Sequence, residues 1–249
     1  MKRAGLTTIV LALCALAVAR VAAADEIRVA VAANFAAAMD ALAQRFQAST
    51  GHEVLASSGS TGAQYAQIRN GAPFDLFFAA DVKRPRLLEE QGVAIAGSRF
   101  TYAVGRVVLW SRRAGLVDDG GRVLESGEFR HLAIANPELA PYGAAAREIL
   151  EHEGLWQHLK TRLVQGQDIG QTYSFVYTGN AELGFVAFSQ INRPGRSIEG
   201  SYWLVPQDLY SPIEQQAVLL KDVPAARQFL DFVKSDAAKA LIASFGYGP

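Results

Sequence analysis

The stretch "SSGSTGAQYAQIRNGAPFDLFFAAD", residues 57–81, predicts the fold class. "HEVLASS" leads into it as a strand, "GAQYAQIRNG" follows as an amphipathic helix, and "FDLFFAA" is a short apolar run typical of a buried strand. A strand, a helix and a strand of these lengths predict a βαβ unit in a parallel sheet. The loop before the helix holds only hydroxyls and glycines, although a helix cap needs a single hydroxyl.

The same alternation extends along the rest of the chain. "EIRVAVAAN" and "FAAAMDALAQRFQAST" precede the stretch as a strand and a helix, and the pattern restarts after "FTYAVGRVVLWS" with strands such as "HLAIANP" and "LGFVAFSQI". Two α/β halves without a linker predict two lobes joined by crossover strands at residues 100–111 and about 203–219. We expect the first lobe to comprise residues 25–105 plus about 207–249, and the second residues 106–206.

The first 24 residues have the pattern of an export signal. Lys2 and Arg3 precede the apolar run "GLTTIVLALCALAVA", and small residues end at Ala24 before Asp25. We therefore expect residues 1–24 to be a signal peptide that is cleaved near Ala24, and the exported protein to be periplasmic. The single cysteine, Cys14, lies within this segment, so the exported chain has no disulfide and depends on its core for stability.

The charge of the expected exported chain argues against two classes of partner. Without Lys2, Arg3 and Arg20, it keeps 21 of the 24 basic residues against 24 acidic ones. A mildly acidic chain argues against nucleic acid or an anionic membrane surface as a partner. No dinucleotide or phosphate-loop glycine motif is present, so no cofactor is expected.

Four junctions between a predicted strand and the next helix are rich in hydrogen-bonding groups. They are "VAANF" with Asn34, "SSGSTG" with Ser60 and Thr61, "NPELAPYG" at residues 136–143, and "QGQDIGQ" at residues 165–171. Each one alone is explained by an ordinary helix cap or turn. Ligands of doubly wound sheets bind at such junctions, where unpaired helix N–H groups favour anions. Four of them in two lobes predict an oxyanion site built from neutral donors.

Other chemistry has less support in the sequence. "HEGLWQH" spaces its histidines six residues apart, so that they do not share a helix face, and His52 and His131 are isolated. We therefore expect no direct ligands for a metal cation. "DVKRPR", residues 81–86, is expected to be a solvated charged surface.

Taken together, the motifs resemble those of a known family. "VAVAANF", the stretch of residues 57–81, "GSRFTYAVGRVVLWS", "NPELAPYG" and "AELGFVA" are similar to segments of the periplasmic molybdate-binding proteins of ABC transporters, the ModA type. The resemblance covers nearly all of the exported chain in order, and "GAPFDLFFAAD" is its most specific motif. It implies a type II periplasmic binding protein fold, with two α/β lobes, a hinge of crossover strands, and molybdate or tungstate bound in the cleft between them.

The resemblance also implies the ligand-binding residues. Asn34 and Thr61 match first-lobe positions that donate through the side chain and the backbone N–H. Tyr142 matches a second-lobe position that donates through its hydroxyl or its N–H. Ile169 matches a position that donates only its backbone N–H, so its apolar side chain is compatible with the role.

Two further positions are weaker candidates for the ligand site. Ser60 precedes Thr61 in the same loop, and Ala33 stands where relatives of one branch carry threonine. Relatives of the other branch have a tyrosine ligand where this chain has Ala187. Tyr142 is expected to supply that hydroxyl from a different loop.

The implied function is that of a monomeric solute-binding protein that captures molybdate or tungstate and delivers it to a membrane permease. One alternative is the same fold binding sulfate or phosphate. Phosphate keeps a proton near neutral pH and favours an acceptor carboxylate, for which Asp168 is the nearest candidate. Another alternative is an exported hydrolase with a Ser or Tyr nucleophile, which requires a base such as His131 or His52 beside Ser58 or Ser60.

Overall fold

The computed structural model describes residues 25–248. The expected signal peptide, residues 1–24 with its cleavage site near Ala24, lies outside these described residues. Within them, two five-stranded sheets are flanked by helices, and no helix there has the length and apolar character needed to cross a bilayer.

The first part of the chain contains β1 (Glu26–Ala32), α1 (Ala36–Thr50), β2 (Glu53–Gly59), α2 (Thr61–Arg69), β3 (Leu76–Ala79), α3 (Lys83–Glu90) and β4 (Phe100–Gly105). The middle part contains β5 (Val107–Ser111), α4 (Val123–Ser126), β6 (Leu132–Ala135), α5 (Pro141–His152), α6 (Trp156–Leu159), β7 (Leu163–Gly166), α7 (Ile169–Tyr177), β8 (Leu183–Ala187), α8 (Phe188–Ile191) and β9 (Ser201–Leu204). The last part contains β10 (Ile213–Leu219), α9 (Pro224–Val233) and α10 (Asp236–Ser244).

The two sheets share one topology. The first has the order β2-β1-β3-β10-β4 and the second the order β7-β6-β8-β5-β9. In each sheet one strand runs antiparallel to both of its neighbours, β10 in the first and β5 in the second. We call each sheet with its helices a lobe. The predicted two-lobed α/β fold is confirmed.

The chain passes between the lobes where the crossovers were predicted. β4 ends at Gly105 in the first sheet and β5 begins at Val107 in the second, so that only Arg106 separates them. The second passage joins β9 to β10. The Val107 N–H donates to Tyr210 Oη at 3.2 Å, so the two passages are tied to each other.

Strand register places the candidate loops at one edge of each sheet. β1 and β2 end together, with Ala32 opposite Gly59. In the second lobe β6 and β7 end together, with Ala135 opposite Gly166. Because parallel strands bring their carboxyl ends to the same edge, the loops that follow them converge.

Each lobe has its own apolar core. In the first lobe the rings of Phe35, Phe78 and Tyr102 pack with centroids 4.6–6.1 Å apart. The second core is built around Phe185 and helix α5. α9 and α10 pack against α1, so the final helices return to the first lobe as predicted.

One predicted strand is shorter than expected. The apolar run of residues 183–191 was predicted to be a single strand, but β8 ends at Ala187 and the last four residues form α8. The Gln190 side chain explains the change, because its Oε1 accepts a hydrogen bond from the Ala187 N–H at 3.0 Å and closes the turn.

Candidate functional site

The carboxyl ends of the strands surround a small cavity between the two lobes. The cavity is very small, with a volume of about 10 Å³, far below the roughly 300–1,000 Å³ of sites for organic ligands. The lining residues are Ala32, Ala33, Asn34, Gly59, Ser60, Thr61, Ala80, Ala140, Pro141, Tyr142 and Ile169. All six predicted site residues are among them, and none of the eleven carries a charged side chain.

The first lobe contributes the start of helix α2. Ser60 is its N-cap and accepts a hydrogen bond from the Ala63 N–H at Oγ. Thr61 is the first helical residue, and its Oγ1 accepts a hydrogen bond from the Ala80 N–H at 3.0 Å. Both hydroxyls therefore use an acceptor position within the protein, and each keeps its hydrogen to donate. The Thr61 N–H has no partner within the helix, because it belongs to the first turn.

The second lobe contributes the starts of two helices. Helix α5 begins with Pro141, which has no N–H, so Tyr142 is the first residue of this helix that can donate one. Helix α7 begins with Ile169, and its N-cap Asp168 accepts a hydrogen bond from the Gln171 N–H at 2.8 Å. N–H groups of the first helical turn carry partial positive charge, so α2, α5 and α7 all direct positive potential toward the cavity.

Asn34 lies in the turn after β1 and is bound by a buried network. Its Nδ2 donates to Gln215 Oε1 at 2.9 Å and to Tyr247 Oη at 3.0 Å. Its carbonyl oxygen accepts hydrogen bonds from Tyr247 Oη and from Ser189 Oγ in the second lobe. The side-chain amide hydrogens of Asn34 are thus directed into the protein, whereas the sequence prediction assigned them to the ligand.

Tyr142 reaches from the second lobe into the same network. Its Oη accepts a hydrogen bond from Gln215 Nε2 at 3.2 Å. Gly105, at the end of β4, allows this approach, because a Cβ at that position would overlap the Tyr142 hydroxyl. Burial raises the pKa of Tyr142 well above its ordinary value, and repulsion from the ionised forms of Tyr247 and Tyr210 would raise it further. The hydroxyl therefore stays protonated and can donate near neutral pH.

Helix α8 connects the Asn34 turn to helix α7. Ser189 donates to the Asn34 carbonyl at 3.0 Å, and Gln190 Nε2 donates to the Ile169 carbonyl at 2.9 Å. Ala33 faces Gly170, because a Cβ on that glycine would lie 3.4 Å from the Ala33 Cβ. The first-lobe turn is therefore packed directly against the start of α7.

The mouth of the cavity is closed by contacts between the lobes. The Gly62 N–H donates to the Leu139 carbonyl at 2.8 Å, and Arg84 Nη2 donates to the Glu138 carbonyl at 3.1 Å. Arg84 also pairs with Asp81, and only 20% of its side chain is exposed. The prediction of a solvated surface at residues 81–86 is therefore wrong for Arg84.

The groups required by the alternative functions lie elsewhere. The Asp168 carboxylate caps α7 and is not a lining residue of the cavity. His52 precedes β2 while Ser58 stands near the other end of that strand, about 20 Å away at 3.3 Å per residue. The His131 N–H donates to Glu182 before the start of β6, at the opposite end of the strand from the cavity. Among residues 25–248, no cluster of three or more His, Cys, Asp or Glu side chains could hold a metal ion.

The sequence and the fold match proteins of one class. A family model described as bacterial extracellular solute-binding protein matches residues 27–248. The molybdate-binding protein ModA of Azotobacter vinelandii is 52% identical over 98% of each chain. The chain belongs to the ModA family. A second ModA, from Rhodobacter capsulatus, is 47% identical and covers 98% of this chain and 96% of its own.

Structural similarity agrees with ModA membership. The solved periplasmic molybdate-binding protein of Azotobacter vinelandii superposes with a TM-score of 0.87 at 46% identity, covering 90% of this chain and 99% of that one. The type II periplasmic binding fold is thereby confirmed. Proteins of the ModA family bind and transport a solute, so the chain is a binding protein and not an enzyme.

Several residues around the cavity were not predicted from the sequence. Gln215, Tyr247 and Ser189 hold Asn34 or Tyr142 in place, and Gly62 and Arg84 close the mouth. For Gly62, the only feature of the sequence that could have indicated a contact across the mouth was a glycine near the start of a helix. The others resemble ordinary polar residues of strands, loops and termini.

Proposed function

We propose that the protein is the molybdate-binding component of an ABC transporter, which captures molybdate or tungstate outside the cytoplasm and delivers it to a membrane permease. The observation that carries the proposal is the uncharged cavity at which α2, α5 and α7 begin, together with the Asn34 turn. Each charge-assisted hydrogen bond to a dianion contributes about 1.5–3 kcal/mol, so several donors can offset its dehydration. Membership of the ModA family supports the same ligand.

The proposal assigns a donor role to five of the six predicted site residues, all except Ala33. Thr61 donates through its hydroxyl and N–H, Tyr142 and Ile169 donate through their first-turn N–H groups, and Asn34 donates through its backbone N–H. The Tyr142 hydroxyl is a further donor. Ser60 supplies a hydroxyl hydrogen beside Thr61.

The remaining parts of the proposal concern the whole molecule. The first lobe comprises residues 25–105 plus about 207–249 and the second residues 106–206, and the lobes close around the anion by a hinge motion. The protein is a periplasmic monomer after removal of residues 1–24. It binds no cofactor and no nucleic acid.

Titration with four anions tests the proposed ligand. The chain from Asp25 onward is expected to bind molybdate and tungstate much more tightly than sulfate or phosphate in isothermal titration calorimetry. A ligand at a thousandfold excess over its Kd stabilises the folded state by about 4 kcal/mol, so these two anions should also raise Tm clearly. Equal binding of all four would identify a nonspecific anion effect, and preference for sulfate would identify the alternative transporter class.

Thr61→Ala tests whether the Thr61 hydroxyl donates to the anion or Thr61 serves only as the first residue of helix α2. The variant removes one hydroxyl donor and leaves an oxygen of the dianion unmatched, so we expect Kd for molybdate to rise about ten- to hundredfold. Thr61→Ser keeps the hydroxyl and should bind within a fewfold of the parent. Calorimetric titration of both variants makes the comparison, and equal affinity of the alanine and serine variants would exclude the hydroxyl as a donor.

A further inference from the structure

Residues 80–84 connect a proposed ligand donor to the facing lobe. The Ala80 N–H holds Thr61 Oγ1 at 3.0 Å, and Asp81 follows directly. Asp81 Oδ1 accepts a hydrogen bond from the Arg84 N–H at 2.9 Å, and its other oxygen pairs with the Arg84 guanidinium. The adjacent residues Ala80 and Asp81 therefore position the side chains of Thr61 and Arg84, respectively.

The Arg84 guanidinium bridges the two lobes. While Asp81 holds one side of the fork, Nη2 donates to the Glu138 carbonyl at 3.1 Å in the loop before α5. The planar, forked geometry of arginine suits two acceptors in fixed directions, and a lysine ammonium does not reproduce it. Because Asp81 balances the charge of Arg84, the bridge holds the lobes together without adding net charge to the cavity.

Gly62 makes the second contact across the mouth and requires the absence of a side chain. Its N–H donates to the Leu139 carbonyl at 2.8 Å. A Cβ at position 62 would lie 3.0 Å from the Leu139 carbonyl oxygen and 3.1 Å from both Leu139 Cα and Arg84 Nη2. These distances are too short for ordinary contacts, so an alanine would push the two loops apart only when the lobes are closed.

We propose that Arg84 and Gly62, which we call the cleft latch, determine how long the closed cleft retains its anion. Neither residue lines the cavity, and both bond to the facing lobe. Contacts that exist only in the closed form stabilise that form after the anion has entered. They therefore slow release and leave the rate of entry nearly unchanged. This inference rests on the proposed function.

Release kinetics test the latch. Protein loaded with radiolabelled molybdate is chased with excess unlabelled molybdate and sampled by rapid filtration. Arg84→Gln should raise the release rate by about tenfold, as expected for loss of one charge-assisted hydrogen bond, with association within about twofold of the parent. Arg84→Lys should release as fast as Arg84→Gln. Arg86→Gln is the matched control, since Arg86 lies on the same helix with its side chain about half exposed and paired with Glu90.

Gly62→Ala gives an independent test, because it should weaken molybdate binding without lowering the Tm of the unliganded protein. Alanine is favoured over glycine in a helix, so the unliganded variant should melt at or slightly above the parent Tm. Its Kd for molybdate should nevertheless rise about tenfold or more, because closure forces the methyl group against Leu139. A structural defect would instead lower the Tm of the unliganded protein.

Failure of the latch is distinguishable from failure of the proposed ligand. If the parent does not bind molybdate, the proposed function is wrong. If the parent binds and Arg84→Gln releases within twofold of it, or if the variant slows association instead, the latch is wrong and the ligand stands. Parent-like release by Arg84→Lys would also overturn the latch, because it would show that charge alone suffices.

Discussion

Ile169→Pro is expected to weaken molybdate binding about ten- to hundredfold while helix α7 stays intact. Ile169 is the first residue of α7, a position where proline fits the helix and removes only an N–H that has no helical partner. The preceding Asp168 has φ −144° and ψ 178°, the extended conformation that a residue before proline adopts. Since this N–H is the only donor proposed for Ile169, its loss removes one charge-assisted hydrogen bond.

The control for this variant is Ile169→Val, which keeps the N–H and most of the buried side chain. It should bind molybdate nearly as the parent does. Calorimetry gives the two Kd values, and circular dichroism with thermal melting verifies that both variants are folded. Equal affinity of the proline and valine variants would remove Ile169 from the ligand site.

Gln215→Leu is expected to lower both stability and affinity. Gln215 is fully buried, accepts from Asn34 Nδ2 at Oε1, and donates to Tyr142 Oη, so it positions one residue of each lobe. Leucine removes the donor to Tyr142 Oη and one of the two acceptors of Asn34 Nδ2, and a buried group left without its hydrogen bond costs about 1–3 kcal/mol. We expect a fall in Tm of roughly 4–10 °C and a rise in Kd of about ten- to hundredfold.

The neighbouring residue supplies a matched control for Gln215. Gln216 is also buried in β10, but it donates to Thr101 Oγ1 and accepts from Arg99, away from the cavity. Gln216→Leu should lower Tm and leave the Kd for molybdate unchanged. If both variants lose affinity equally, general destabilisation explains the result and Gln215 has no positioning role.

A double-mutant cycle identifies the partner through which Gln215 acts. If its amide positions the Tyr142 hydroxyl, then Gln215→Leu should cost less affinity in a Tyr142→Phe background than in the parent. Additive effects would show that the two side chains act independently on binding.

The fold was predictable because its signals are local. The apolar runs of the parallel strands and the cap residue of α2 are read from a few consecutive residues, and Ser60 does cap its helix. The prediction of β8 was too long because it, too, used only consecutive residues. Nothing in a continuous apolar run indicates that the Gln190 amide will turn back onto Ala187.

The supporting residues of the cavity were not predictable because their contacts are long-range. Asn34 lies 181 residues from Gln215 and 213 from Tyr247, so no short motif contains both members of either pair. Arg84 lies 54 residues from Glu138, and as part of a charged segment it had the composition of a solvated surface. The positions of these residues at helix starts were predictable, and their role as donors stays a prediction, whereas the groups that fix their orientation depend on how the lobes meet.

The absence of charged side chains from the cavity lining has a consequence for transport. Helix N-termini solvate an anion with dipoles, which orient around its charge without cancelling it. Binding of the proposed dianion would take the chain from Asp25 onward from a formal charge of −3, from 21 basic and 24 acidic residues, to −5, with no charged lining residue beside the anion. Under the proposed function, no charged side chain of the cavity lining would neutralise the anion locally, so we expect positive charge that attracts the anion during release to be supplied by the receiving permease.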